Sequence, residues 1–219
     1  MNKKGNSHKN NFSSETIKRL SVYLRNLRKL KEQGVDVISS DKLTELLNVK
    51  PEQFRKDLSY FGGFGKRGVG YNVENLIKEL EGILGVNKQW NIVLVGIGKL
   101  GGALLGFEGF SKFNIKIKHA FDSDESKIGK IKKGIKIEAI KDMKKIIKKS
   151  GIKIAMISTP PDVAQETARV LVEAGIKCIL NFAPSVLRVP QDILVSNVDM
   201  ASELESLIFF AKQDKINKV

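Results

Sequence analysis

At 219 residues, 42% of them hydrophobic, the chain has room for one large or two small domains with cores of their own. No apolar run approaches the roughly 18 residues of a membrane span, the polar start Met1–Asn11 lacks the apolar centre of a signal peptide, and the single cysteine, Cys178, excludes an internal disulfide, so the composition suits the cytoplasm. The net charge of +14 points to an acidic partner, with nucleic acid the commonest; most of the cations are lysines, many spread over 127–149 as a solvated surface, whereas five of the seven arginines (Arg19, Arg25, Arg28, Arg55, Arg67) fall in the first 67 residues.

In chain order, residues 1–12 read as a disordered arm. Ser13 or Ser14 caps a helix in which Ile17, Leu20, Leu24, Leu27 and Leu30 recur at steps of three and four, ending near Gly34. Ser40 precedes a short second helix with Leu43, Leu46 and Leu47. Asn48–Lys50 makes a turn, and Pro51 opens a third helix over 51–61. On its wheel Phe54, Leu58 and Phe61 face the core, while Arg55, Lys56 and Ser59 face outward. Two helices joined by a tight turn, the second with a basic outer face, predict a helix-turn-helix that enters a major groove. Gly62–Tyr71 then predicts a β-hairpin with Lys66 and Arg67 at its tip, placed as a wing against phosphate or minor groove. A fourth helix with Leu76, Ile77, Leu80, Ile83 and Leu84 closes a domain over 13–85.

From 86 to 198 the pattern changes to alternating strands (91–95, 115–121, 152–158, 176–181, and weaker near 193–196) and helices (99–110, 141–150, 162–174), which predicts an α/β fold with a parallel sheet. The first strand feeds Gly96-Ile97-Gly98-Lys99-Leu100-Gly101, and the next ends on Asp122. This is the layout of a dinucleotide site: Gly96 for the turn, Gly98 for close approach of the pyrophosphate, Gly101 for helix–strand packing, and Asp122 for the ribose hydroxyls. The charge of Asp122 repels a 2′-phosphate and so favours NAD(H) over NADP(H). At other strand ends, Thr159 and Pro160 are candidates for the pyrophosphate–nicotinamide crevice, and Asn181, Ala183 and Pro184 for the nicotinamide end. No Ser-His-Asp set, metal cluster or acid pair stands at a strand end, so no residue is assigned a catalytic role and no metal is expected. His119 reads as a packed strand residue and Cys178 as core. Residues 199–219 form a last helix whose Leu204, Leu207, Ile208, Phe209 and Phe210 require a partner surface. A two-fold dimer supplies one and presents two recognition helices to a palindrome.

Together Arg55–Tyr71, Gly96–Gly101, Asn181–Pro184 and Asn197–Asp199 resemble the Rex family of redox-sensing transcriptional repressors. The resemblance spans residues 13–213. It implies a homodimer with an N-terminal winged helix, a Rossmann-like NAD(H)-binding domain and a C-terminal helix swapped between subunits. It further implies a repressor that holds a palindromic operator when free or NAD⁺-bound and releases it with NADH. Operator contacts implied by the resemblance are Arg55, Lys56, Ser59 and Tyr60 on the helix and Lys66, Arg67 and Gly68 in the wing. A family ion pair between the first and the swapped helix maps onto Arg19 and Asp199. Two positions depart from the family: Phe107 stands where some members carry a nicotinamide-side tyrosine, and Met200 where an aromatic residue follows the aspartate. The alternatives are an NAD-dependent oxidoreductase or a CoA-binding module with a helical appendage.

Overall fold

In the computed structural model, which describes residues 12–62 and 70–213, the chain forms two units that meet in sequence at Lys88 and Gln89. The first opens with α1 (Ser14–Glu32), started by the Ser13 hydroxyl, which accepts the Thr16 N–H at 3.2 Å. Its buried stripe contains Leu20, Tyr23, Leu24, Leu27 and Leu30. After β1 (Val37–Ile38), α2 (Ser40–Leu46) is capped by Ser39 rather than Ser40, with Ser39 Oγ accepting from Lys42 N–H at 3.3 Å. The third helix, α3 (Pro51–Ser59), starts on its proline as expected and stops two residues short of Phe61. A second short strand, β2 (Tyr71–Asn72), leads directly into α4 (Val73–Leu84). That helix is capped by Asn72 and ended by Gly85, whose φ of +67° suits a residue without a Cβ. Leu20, Tyr23, Leu27, Leu43, Phe54 and Leu80 are fully buried at the centre of this unit.

The end of the expected wing segment pairs with a strand earlier in the chain. Tyr71–Asn72 runs antiparallel to Val37–Ile38, in the register Val37↔Asn72 and Ile38↔Tyr71. The strand between α1 and α2 is the partner that sequence periodicity does not reveal, because two residues carry no period. The expected wing residues Lys66, Arg67 and Gly68 lie outside the described residues, as does the arm up to Asn11.

The second unit is built on β3 (Trp90–Val95), β4 (Ile115–Asp122), β5 (Ile131–Lys132), β6 (Ile135–Ala139), β7 (Ile154–Ile157), β8 (Cys178–Asn181) and β9 (Leu194–Asn197). They form one sheet in the order β5-β6-β4-β3-β7-β8-β9, with every pair parallel except β5–β6. Helices α5 (Lys99–Leu105), α6 (Met143–Ser150) and α7 (Pro161–Glu173) connect strands, and α8 (Met200–Lys212) follows β9. Alternation along β3 sends Val93 and Val95 into one core with Met143, Ile147, Ala164 and Leu171, and Ile92 and Leu94 into the other with Ile97, Leu105 and Ile117. A strand covered on both faces explains the unbroken apolar run of the sequence. Strand order reverses between β3 and β7, and ligands of such sheets lie at that switch point, beyond the strands' carboxyl ends.

Two differences from the sequence reading concern this unit. The helix after the glycine loop stops at Leu105 rather than reaching 110; Gly106 takes the cap position, and Glu108–Phe113 forms a 3-10 turn. Within the lysine-rich stretch, β5 and β6 extend the sheet beyond β4. Ile135, Ile137 and Ala139 alternate with Lys136 and Glu138, a two-residue period hidden among lysines.

Candidate functional site

On α3 the two faces separate as the wheel predicts. Phe54 and Leu58 are buried, whereas Arg55, Lys56, Ser59 and Tyr60 are exposed. Among the described residues Arg55 reaches Glu52, one turn back, at 3.4 Å, and Ser59 Oγ donates to the Lys56 carbonyl at 2.8 Å. The outer face of α3 therefore offers a guanidinium, an ammonium and two hydroxyls, the groups used on phosphates and base edges.

What fixes this helix escaped the sequence reading. Asp57 points inward, its side chain fully buried, and its carboxylate accepts from Arg19 Nε at 2.6 Å, Arg19 Nη2 at 2.7 Å, the Tyr23 hydroxyl at 2.8 Å and Gln53 Nε2 at 2.8 Å. Burial alone drives an aspartate pKa up; here the donors from Arg19, Tyr23 and Gln53 outweigh it and hold the Asp57 carboxyl below the ordinary range. Burial and the adjacent carboxylate push the Tyr23 phenol above its ordinary value, so it stays a donor. The signal available in the sequence was an acid at the step Phe54–Asp57–Leu58, on the apolar side of the wheel.

Within one chain, Arg19 is thus bound to Asp57, and Asp199 is bound to its own helix, Oδ1 accepting from Ala201 N–H at 3.0 Å and Ser202 N–H at 3.1 Å. The apolar side chains of α8 find no cover among the described residues: Met200, Leu204, Leu207, Ile208, Phe209 and Phe210 are all more than half exposed.

In the second unit the glycine loop, Asp122, Thr159 and Pro160 come together around a crevice of about 670 Å³, lined also by Lys127, Met143, Val163 and Thr167. The three glycines differ in what surrounds them. Gly96 has φ +90°, and a Cβ there would lie 2.8 Å from the Ser158 carbonyl, so the β3 and β7 ends touch through it. A Cβ on Gly101 would collide with the Gly96 carbonyl oxygen. At Gly98 a Cβ would meet nothing within 4 Å; its position is open, and no side chain caps the α5 N-terminus, where Lys99 and Leu100 begin the helix. Ser158, which the sequence reading did not single out, holds the loop by donating to the Gly96 carbonyl at 2.8 Å.

Asp122, buried at the end of β4, accepts the Ile97 N–H at 2.6 Å on Oδ2 and the Asp124 N–H at 2.8 Å on Oδ1, with Lys127 Nζ 3.2 Å from Oδ2. Burial pushes its pKa up, but the two N–H groups and Lys127 more than compensate, so the group is held ionised below the usual carboxylate range. Thr159 Oγ1 is buried on the crevice wall and has no hydrogen-bond partner among the described residues. A buried hydroxyl on a crevice wall needs a hydrogen-bond partner, which a water or a bound polar group supplies.

The expected nicotinamide-end residues are arranged otherwise. Asn181 is fully buried and its amide is spent inside the chain: Nδ2 donates to the carbonyls of Ala183 and Ser185 and to Asn197 Oδ1, each at 3.0 Å, while Oδ1 accepts the Ala183 N–H. These bonds make Asn181 a shaper of the loop after β8. Ala183 is buried in the same loop, Pro184 is exposed, and neither lines the crevice. Phe107 does not line it either: it is 58% exposed, with its ring edge-to-face on Phe110 at 4.9 Å. His119 pairs with Glu138 at 2.8 Å and stacks on Phe121. Among the described residues no cluster of three His, Cys, Asp or Glu side chains suits a metal, and no helix is long and apolar enough to cross a membrane.

Comparison with known proteins adds to this geometry. Residues 11–59 match the family described as putative DNA-binding protein N-terminus, and residues 87–185 match the CoA binding domain family. The chain is 43% identical over 198 residues to a redox-sensing transcriptional repressor Rex from Roseiflexus sp. (strain RS-1), covering 90% of each chain. It is 45% identical over 199 residues to the protein of that name from Chloroflexus aurantiacus (strain ATCC 29366 / DSM 635 / J-10-fl), covering 91% of this chain and 94% of the relative. Among solved structures it is similar to RSP, a Rex-family repressor, in complex with β-NAD⁺ and operator DNA, with TM-score 0.89, 36% identity and 94% of both chains covered. The RSP complex with β-NADH gives TM-score 0.84 and 35% identity over 95% of this chain and 98% of that one.

Proposed function

The chain belongs to the Rex family of redox-sensing transcriptional repressors, and from that premise we propose that it represses transcription as a homodimer whose grip on a palindromic operator is set by the NADH/NAD⁺ ratio. Free or NAD⁺-bound it holds the operator; with NADH it lets go. One observation carries this reading: a single chain holds both an anchored helix with Arg55, Lys56, Ser59 and Tyr60 outward and a crevice with an open Gly98, an ionised Asp122 and a Thr159 hydroxyl that has no partner among the described residues.

In this reading residues 13–85 bind DNA, aided by Lys66, Arg67 and Gly68, and residues 86–198 bind NAD(H). Gly96–Gly101 approach the pyrophosphate, Asp122 takes ribose, and Thr159 and Pro160 wall the crevice toward the nicotinamide. Residues 1–12 are an arm. Residues 199–219 dimerise: the bare apolar face of α8 is covered by a second copy. In that dimer Asp199 of one chain comes to Arg19 of the other, whose guanidinium already holds the recognition helix through Asp57. Reduction of the nicotinamide ring removes its positive charge and its planarity, and that difference is what the crevice reads. Phe107 lacks a hydroxyl and Met200 lacks an aromatic ring for the coupling, which therefore runs through packing. The chain carries no catalytic role, and the cytoplasm is its site of action.

The CoA binding domain match is the observation behind a second reading, a CoA-binding module. CoA carries a 3′-phosphate on the ribose that faces a residue such as Asp122, and an ionised carboxylate there opposes it. NADH, not CoA, is expected to raise the melting temperature of the protein.

The two halves of the reading separate by mutation. Asp122→Ala is expected to weaken NADH binding by about tenfold or more, the loss of a charged hydrogen-bond partner worth roughly 2 kcal/mol, and to leave operator affinity without nucleotide unchanged. Arg55→Ala is expected to do the converse, costing roughly 1–3 kcal/mol of operator binding. Fluorescence anisotropy on labelled operator and calorimetric titration of NADH check both; either variant moving both affinities equally contradicts the division.

A further inference from the structure

We propose that Lys127 is the second ribose-recognition residue of the crevice and sets how strictly the site rejects a 2′-phosphate; the inference rests on the nicotinamide-nucleotide reading given above. A carboxylate has roughly four acceptor positions and an ammonium three donors. Asp122 has already committed Oδ2 to the Ile97 N–H and to Lys127, and one position of Oδ1 to the Asp124 N–H. One acceptor position remains, on Oδ1, so Asp122 receives a single hydroxyl rather than both. Lys127 spends one N–H on Asp122 and one on Asp124, 3.3 Å away, which leaves one donor. The Lys127 side chain is one-third exposed and, like Asp122, lines the crevice. The pair thus presents one acceptor and one donor, the complement of a vicinal diol in which one hydroxyl donates and its neighbour accepts.

The same pair has a consequence for selectivity. Asp122 and Asp124 alone repel a 2′-phosphate; with the ammonium of Lys127 at 3.2 Å and 3.3 Å the three groups keep one net negative charge and repel it less. Lys127 is therefore expected to permit residual NADPH binding, and its removal to sharpen the preference for NADH.

The full chain is titrated calorimetrically with NADH and NADPH as wild type, Lys127→Met and Lys127→Gln. Lys127→Met is expected to weaken NADH by about fivefold and NADPH by at least about fivefold more, the scale of one charge-assisted contact. Lys127→Gln, which keeps a donor without the charge, is expected to bind NADH within about threefold of wild type while still losing NADPH. A ratio of the two affinities that stays constant through the series overturns the role of Lys127, including the case in which both nucleotides weaken together, as a merely structural lysine gives. A wild-type chain that binds neither nucleotide overturns the nucleotide reading itself, and this inference with it.

Discussion

Gly101→Ala is expected to abolish NADH binding and to lower the melting temperature of the nucleotide-binding unit by roughly 10 °C, the consequence of an overpacking cost of about 3 kcal/mol. The added Cβ collides with the Gly96 carbonyl oxygen and comes within 3.0 Å of the Gly96 carbonyl carbon. Both are backbone atoms of Gly96, where an added Cβ would itself lie 2.8–2.9 Å from the Ser158–Thr159 peptide. Neither can retreat without separating β3 from β7. Gly98→Ala is the informative companion. Its Cβ enters open space, so stability is expected to change by no more than about 0.5 kcal/mol, and only ligand approach suffers. Thermal melts paired with NADH titrations distinguish the two, and equal destabilisation by both substitutions contradicts the separate roles of these glycines.

Asp57→Ala is expected to destabilise the N-terminal unit by about 3 kcal/mol and to eliminate operator binding, while the second unit still takes up NADH. Removing one member of a buried pair costs about 3–5 kcal/mol; the lower end applies because Arg19 is 32% exposed and regains water. The loss strands the Tyr23 hydroxyl and releases α3 from α1. The pH dependence has a definite sign. The folded-state pKa of Asp57 lies below its unfolded value, so its contribution is complete above the ordinary carboxylate range of about 4 and disappears as pH falls through the folded value. Wild-type stability of this unit therefore falls in acid, and Asp57→Asn, less stable at neutral pH, loses that part of the slope. Denaturant unfolding between pH 7 and pH 3 checks it; parallel slopes contradict the network.

Most of the architecture was legible because its determinants are local. The heptad-like spacing of Leu20, Leu24 and Leu27, the Ser13 cap and Pro51 at the start of α3 each act over one turn of helix. The glycine spacing specified a loop whose three positions have three different neighbours. The missing parts depend on residues distant in sequence. β6 is a strand because β4 is beside it, although Lys136 and Glu138 interrupt its apolar positions. Asp57 joins Arg19 and Tyr23 across 38 and 34 residues, and an acid on an apolar face has no meaning until its donors are present. Asn181 lay at the end of a strand facing the ligand side, and only its four hydrogen bonds, to Ala183, Ser185 and Asn197, reveal a loop-shaping role. Lys127 was one lysine among many until the fold set it against Asp122.

Coupling between the two units is limited by the difference in affinity of NADH for the operator-bound and the released forms: a tenfold loss of operator affinity requires about 1.4 kcal/mol, and the operator must weaken NADH binding by the same factor. The direct measurement is the operator affinity of the full chain, on a palindrome selected in vitro, titrated separately with NADH and NAD⁺. Release by NADH at concentrations where NAD⁺ leaves the complex intact is the predicted result. A complex that persists under saturating NADH, or that both nucleotides dissolve alike, contradicts redox sensing by this chain.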